Sequence, residues 1–142
     1  MEENREELLE QLMPKLTALS ERLEDMGIEN DVLMAMESLP AVLAEVEGRQ
    51  LQLACVPVAE GGYLLSITAA LEIPEEDEEN LVERCCRFNE NSLLAMVCLD
   101  PFRNQVIFKC GVPEAEEGWD SRILTFALEA LAEDIRRYES QG

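Results

Sequence analysis

The chain contains no histidine, and only 5% of its residues are aromatic. Without an imidazole, the usual base of a Ser-His or Cys-His catalytic pair and the commonest metal ligand are both missing. Basic residues are scarce too: 11 Lys plus Arg stand against 31 Asp plus Glu, a formal net charge of -20. Nucleic-acid binding needs a basic stripe that releases counterions, and only the pair Arg136 and Arg137 with the scatter of Arg84, Arg87 and Arg103 offers one. The sequence therefore predicts no nucleic-acid partner. It predicts no membrane partner either, because the amphipathic segments lack a lysine-rich face.

Long apolar runs are also absent. The longest, such as "LLAMVCL" at 93–99, fall far short of the roughly 20 residues that cross a bilayer. The start, "MEENREELLEQLMPKL", has no basic leader, no apolar signal core and no small-residue cleavage site. Five cysteines make an odd count without the spaced pairs of a disulfide framework, so the expected location is a reducing cytoplasm. The glycines of "AEGGY" and "CGVP" mark turns and do not form a phosphate-cradling loop at a helix start.

What the chain does have is a normal hydrophobic fraction, 47% of 142 residues. That supports one folded domain spanning 1–142, with a helical segment, 1–40, packed on an α+β core, 41–140. From Glu6 to Met26 the positions Leu9, Leu12, Met13, Leu16, Leu19, Leu23 and Met26 recur every three or four residues, a helical stripe that Gly27 stops. Pro14 inside it predicts a kink or a late start. "ENDVLMAMESLP", 29–40, reads as a short second helix capped by Asn30 or Asp31.

From Ala41 to Ile73 the period changes to two. "AVLAEVE", "LQLACVPV" and "YLLSITAALEI" read as three strands. A loop of three residues with Gly61 left-handed pairs Cys55 with Leu65 and Leu53 with Ile67, which puts both apolar sets on one face. "PEEDEENLVERCCRFN" then reads as an acidic helix start with Leu81, Val82, Cys85 and Phe88 on one side. A second hairpin follows, "SLLAMVCLD" with "QVIFKCG". If Asp100 pairs with Gln105, then Ala95, Val97 and Leu99 share the core face with Val106, Phe108 and Cys110. A last helix starts at Trp119 or Asp120 and carries Ile123, Leu124, Ala127, Leu128, Leu131, Ile135 and Tyr138. The order α-βββ-α-ββ-α argues for an α+β two-layer sandwich with an antiparallel sheet of about five strands.

The stretch "LVERCCRFNENSLLAMVCLDPFRNQVIFKCGVP", followed by an amphipathic helix, resembles the YbjN-type bacterial proteins. Asn89, "VCLD" at 97–100 and "VIFKCGVP" at 106–113 occupy the places of the family's helix-ending Asn, its Leu-Asp strand end and its apolar strand. The resemblance covers about residues 41–140. It implies a type III secretion chaperone-like fold, small acidic proteins that commonly dimerise and bind segments of other proteins. It also implies a role of the sensory-transduction regulator type and offers no catalytic residue to carry over.

The residues themselves also point away from catalysis. Cys85 and Cys86 are adjacent, about 100° apart on a helix, so they cannot share one metal ion. In the register above, Cys98 and Cys110 lie on opposite faces. Core filling is the expected role of the cysteines, with Cys86 and Cys98 the candidates for a redox-sensing thiol. The runs "PEEDEEN" and "EAEEG" lack the alternating ligands of a calcium loop and read as solvated helix starts or loops.

The face opposite the core remains, because Leu94, Met96, Cys98 and Ile107 make it more apolar than a solvent face should be. The expectation is a non-enzymatic, protein-binding module without cofactor. It would act as a homodimer, with these four residues in the contact. The alternative is a thiol-based sensor or a small-molecule binder using a pocket between sheet and helices.

Overall fold

A computed structural model describes residues 2–33, 40–58, 62–72, 78–92, 95–100, 105–114 and 119–140. The elements are α1 (Glu2–Asp25), β1 (Asn30–Leu33), β2 (Ala41–Val46), β3 (Arg49–Pro57), β4 (Tyr63–Glu72), α2 (Glu78–Asn91), β5 (Met96–Asp100), β6 (Gln105–Pro113) and α3 (Ser121–Ser140). The strands form one antiparallel sheet in the order β1-β2-β3-β4-β6-β5. The fold is thus the α+β layered arrangement that the alternation predicts, with six strands where about five were expected.

The extra strand corrects the reading of 29–40 as a helix. Asn30 to Leu33 pair with Ala44 to Ala41, and residues 34–39 lie outside the described part. Helix-forming residue types are overruled here by tertiary pairing. The reason begins at the end of α1, where Gly27 takes φ +78°, Ile28 N–H donates to Leu23 O and Gly27 N–H donates to Glu24 O. This is a Schellman closure, and it turns the chain sharply back. Asn30 then places its side chain against Ser20 of α1 and donates to Ile28 O at 3.0 Å. With its side chain occupied, Asn30 does not cap a helix.

The predicted registers hold. Cys55 pairs with Leu65 and Leu53 with Ile67. Val58 N–H donates to Gly62 O at 2.9 Å, and the tip with Gly61 is outside the described residues. Asp100 pairs with Gln105, Val97 with Phe108 and Leu99 with Val106. The β2–β3 turn is Glu47 and Gly48, both at positive φ, 53° and 77°. That sign matches the primed two-residue turn that follows a right-handed strand twist.

All three helices cover one face. Leu12 and Leu16 of α1, Phe88 of α2 and Leu128 of α3 belong to the same buried cluster as Leu53, Ile67 and Phe108, which share one strand parity. The α1 stripe is the expected one, with Leu12, Leu16, Leu19 and Leu23 at most 2% exposed. The helix starts at Glu2 and continues through Pro14, so no late start occurs. In α2, Leu81, Cys85 and Phe88 are buried, whereas Val82, expected beside them, is 47% exposed because it lies one 100° step around the helix. Ile123 of α3 is likewise exposed. Asp120 caps α3, its Oδ1 accepting from Arg122 N–H at 2.7 Å. Phe88, Phe108 and Tyr138 meet edge to face at centroid distances of 5.2 to 6.1 Å, which ties α2, β6 and α3 together.

Candidate functional site: the open sheet face

Because strand side chains alternate, each residue that enters the core sends its neighbours to the other side. On β6, Val106, Phe108 and Cys110 are buried while Ile107 and Lys109 point away from the helices. No helix of the described residues covers that second face. Met96 is 66% exposed, Cys98 is exposed, and Ile107, directly opposite Cys98, is half-buried by its strand neighbours. These three of the residues singled out from the sequence therefore come together; Leu94 lies outside the described residues.

The face extends beyond them. Its centre is a shallow concavity of about 480 Å³ whose walls include Leu43, Gln50, Gln52, Thr68, Ala70 and Ile107. The sequence reading passed over Gln52, Thr68 and Ala70. Their signal was available as the complementary parity of the two strands whose core sets were identified.

Carboxylates on this side are confined to its margins. Asp31 and Glu45 lie toward the β1 edge, and the register places Glu72 and Asp100 across from Gln105 at one end. Two cations lie nearer the middle: Lys109, between Thr68 and Met96, and Arg49, at the wall of the concavity. Among the described residues the centre holds no carboxylate, in a chain whose net charge is -20.

One edge of the sheet is closed by a side chain. Asn89, near the end of α2, donates from Nδ2 to Val97 O at 2.9 Å and accepts at Oδ1 from Val97 N–H at 2.8 Å. Its amide thus imitates the backbone of a neighbouring strand near the start of β5. A second chain could not add there without displacing it.

The thiols divide by face. Cys55, Cys85 and Cys110 are buried, and Cys86 and Cys98 are exposed. Burial pushes the Cys55 and Cys110 thiols up to about 11 and raises Cys85 as well, so all three stay protonated and weakly nucleophilic at neutral pH. For Cys55, nearby Lys15 opposes the rise and Glu114 adds to it. Cys98 and Cys110 lie on opposite faces, as the register requires. Among the described residues no group of three or more Cys, Asp or Glu side chains is arranged to hold a metal ion, and no helix is long and apolar enough to cross a membrane.

No family model matches the chain, and no curated protein matches it in sequence. Among solved structures it is similar to YbjN from E. coli, a proposed transcription regulator. The TM-score is 0.59 at 15% sequence identity, and the match covers 87% of each chain. The shared property is the fold.

Proposed function

We propose that this chain is a non-enzymatic, chaperone-like or regulatory binding module that works as a homodimer through its open sheet face, in a reducing cytoplasm. The observation that carries this reading is the centre of that face, which no described helix covers and which holds no carboxylate among the described residues.

Two copies of a chain with net charge -20 repel each other, so the least opposed contact is the surface with the fewest carboxylates. Size is adequate as well. Six strands about 4.8 Å apart, rising about 3.3 Å per residue, give a face on the order of 600 Å², near the roughly 800 Å² per partner of a stable interface. Face-to-face contact is favoured over pairing through β5, since Asn89 already occupies the backbone of Val97. Met96 at the rim supplies an adaptable apolar side chain. The regulator-like neighbour agrees with a module that binds and does not catalyse.

The test is the solution mass by light scattering, for the wild type and for Met96→Glu with Ile107→Glu. A wild-type dimer and a folded monomeric double variant are expected. A wild-type monomer across the micromolar range would remove the homodimer, and a double variant that still dimerises would move the contact elsewhere.

A further inference from the structure

The strand registers hold a further regularity on the open face. Asp31 pairs with Leu43, Leu43 with Gln52, Gln52 with Thr68, Thr68 with Lys109 and Lys109 with Met96. Residues paired across antiparallel strands stand side by side on one face, so these six side chains form a single row that crosses the whole sheet. Asp31, Gln52, Lys109 and Met96 are exposed, and Leu43 and Thr68 are half-buried.

The row is asymmetric in charge. Asp31 ends it on β1, and Lys109 stands on β6, four strands across and therefore about 19 Å distant. That span is too great for the two to meet within one chain. Neither has a salt-bridge partner among the described residues, whereas Lys15, Arg49, Arg87, Arg136 and Arg137 each have one.

A second copy can lie face to face on this row about two different two-fold axes. With the axis along the row, each residue meets its own image, so Lys109 stacks on Lys109 and Asp31 on Asp31. With the axis along the strands, between β3 and β4, the row meets itself reversed, and the acidic end of one copy lies over the basic end of the other. Both axes keep the sheets in aligned packing about 10 Å apart. Charge therefore decides between them, because like charges set opposite each other are strongly disfavoured at an interface.

We infer, resting on the homodimer proposed above, that the two copies are related by the axis along the strands and that Lys109 of each copy pairs with Asp31 of the other. In this arrangement Gln52 meets the second copy's Thr68, and Leu43 supports the aliphatic stem of its Lys109. The ammonium then reaches Asp31, one strand further out and about 4.8 Å to the side. Glu45, on the same margin, adds to the field that draws it. The symmetry makes this contact twice.

Two variants of the full chain, Asp31→Lys and Lys109→Asp, test the axis by analytical ultracentrifugation over a dilution series. In the inferred dimer each variant sets two like-charge contacts against itself, so each should raise the dissociation constant at least about tenfold. An equimolar mixture of the two should recover dimer to within about threefold of the wild-type constant, because both contacts of the mixed pair join opposite charges. Native mass spectrometry identifies that mixed dimer, since the two chains differ in mass. Both positions are exposed, so the thermal midpoints should match the wild type, and recovery in the mixture shows that both chains are folded.

Asp31→Lys also removes net negative charge from the chain. If it tightens the dimer while Lys109→Asp loosens it, general repulsion accounts for both and the pairing is overturned. If either variant leaves the constant unchanged, or the mixture stays monomeric, the axis lies elsewhere and the inference fails although the dimer stands. A wild-type monomer removes the dimer reading itself, and this inference with it.

Discussion

The two faces of one sheet show how the same strands answer two different constraints. On the helix side, Phe108 packs between Phe88 and Tyr138 with no exposed surface. One residue away, Ile107 faces Cys98 and Ala70 in a concavity that no described helix covers. The covered side is selected by volume and shape, since its rings and branched chains interlock. The open side is selected by charge. It tolerates glutamine, threonine and alanine together, but its centre excludes the carboxylates that dominate the rest of the chain. A surface that only needed to be wet would have no reason to exclude them.

The comparison is sharpened most by truncating each side. Phe108→Ala should lose about 3–5 kcal/mol of unfolding free energy in urea, by removing the ring that both neighbours contact. Cys98→Ala should change it by less than about 0.5 kcal/mol in dilute solution. A large loss at Cys98 would break the comparison, because it would mean that the open face is packed in the dilute protein.

Asn89→Ala should come next, at about 2 kcal/mol, because it leaves the Val97 N–H and carbonyl unmatched. Urea titration gives the size. Asn89→Asp should lose only part of this if the acceptor half of the clamp survives, and a neutral result for Asn89→Ala would show that water replaces the amide without penalty.

Thiol titration separates the faces in another way. At neutral pH a disulfide reagent should modify Cys86 and Cys98 quickly in the native protein and the other three only as it unfolds. Cys55 and Cys110 hold their protons up to about 11 when folded, against an ordinary 9.0. The unfolded chain therefore releases protons first as pH rises. Stability should be level below pH 9 and decline between about 9 and 11, measured by urea midpoints across that range. A shallower decline in the Cys55→Ala, Cys110→Ala double variant, with the remainder left to the raised Cys85 thiol, would assign most of the loss to these two groups, and an unchanged slope would refute it.

The smallest effect belongs to Gly48 in the β2–β3 turn, where the side chain of its neighbour Glu47 pairs with Arg136 of α3 and Gly48 itself touches nothing. Gly48 has open space around its α-carbon but φ +77°. Gly48→Ala should cost no more than about 1 kcal/mol, from backbone strain alone. A larger thermal shift would mean that the strain also breaks the Glu47–Arg136 pair.

Much of the sheet was legible because period-two alternation fixes both face and register once one pair is placed. Cys55 with Leu65 and Asp100 with Gln105 are examples. β1 was not legible. Its four residues are too few to show alternation, and "DVLMAME" is made largely of residues that favour helices. Met96, Cys98 and Ile107 could be assigned to one face from parity alone, whereas the concavity beside them needed the curvature of the assembled sheet. The contacts of α1 with the far end of the chain were invisible, since Lys15 and Glu114 are 99 positions apart, as are Arg22 and Ser121. Asn89 stood out as an asparagine near a helix end, and nothing in its neighbours revealed which backbone it would clamp.

That clamp also limits how this protein can change over generations. The Val97 position needs one group that gives a proton and one that takes a proton, both at the reach of a single methylene. Aspartate keeps only the taker, serine and threonine are too short to span both atoms, and lysine keeps only the giver. Glutamine has both but is one carbon too long, and reaching it from an asparagine codon takes two base changes. Position 89 therefore sits in a narrow basin of sequence space, where aspartate, serine, threonine and lysine, all one base change away, each leave at least one of the two Val97 groups unmatched.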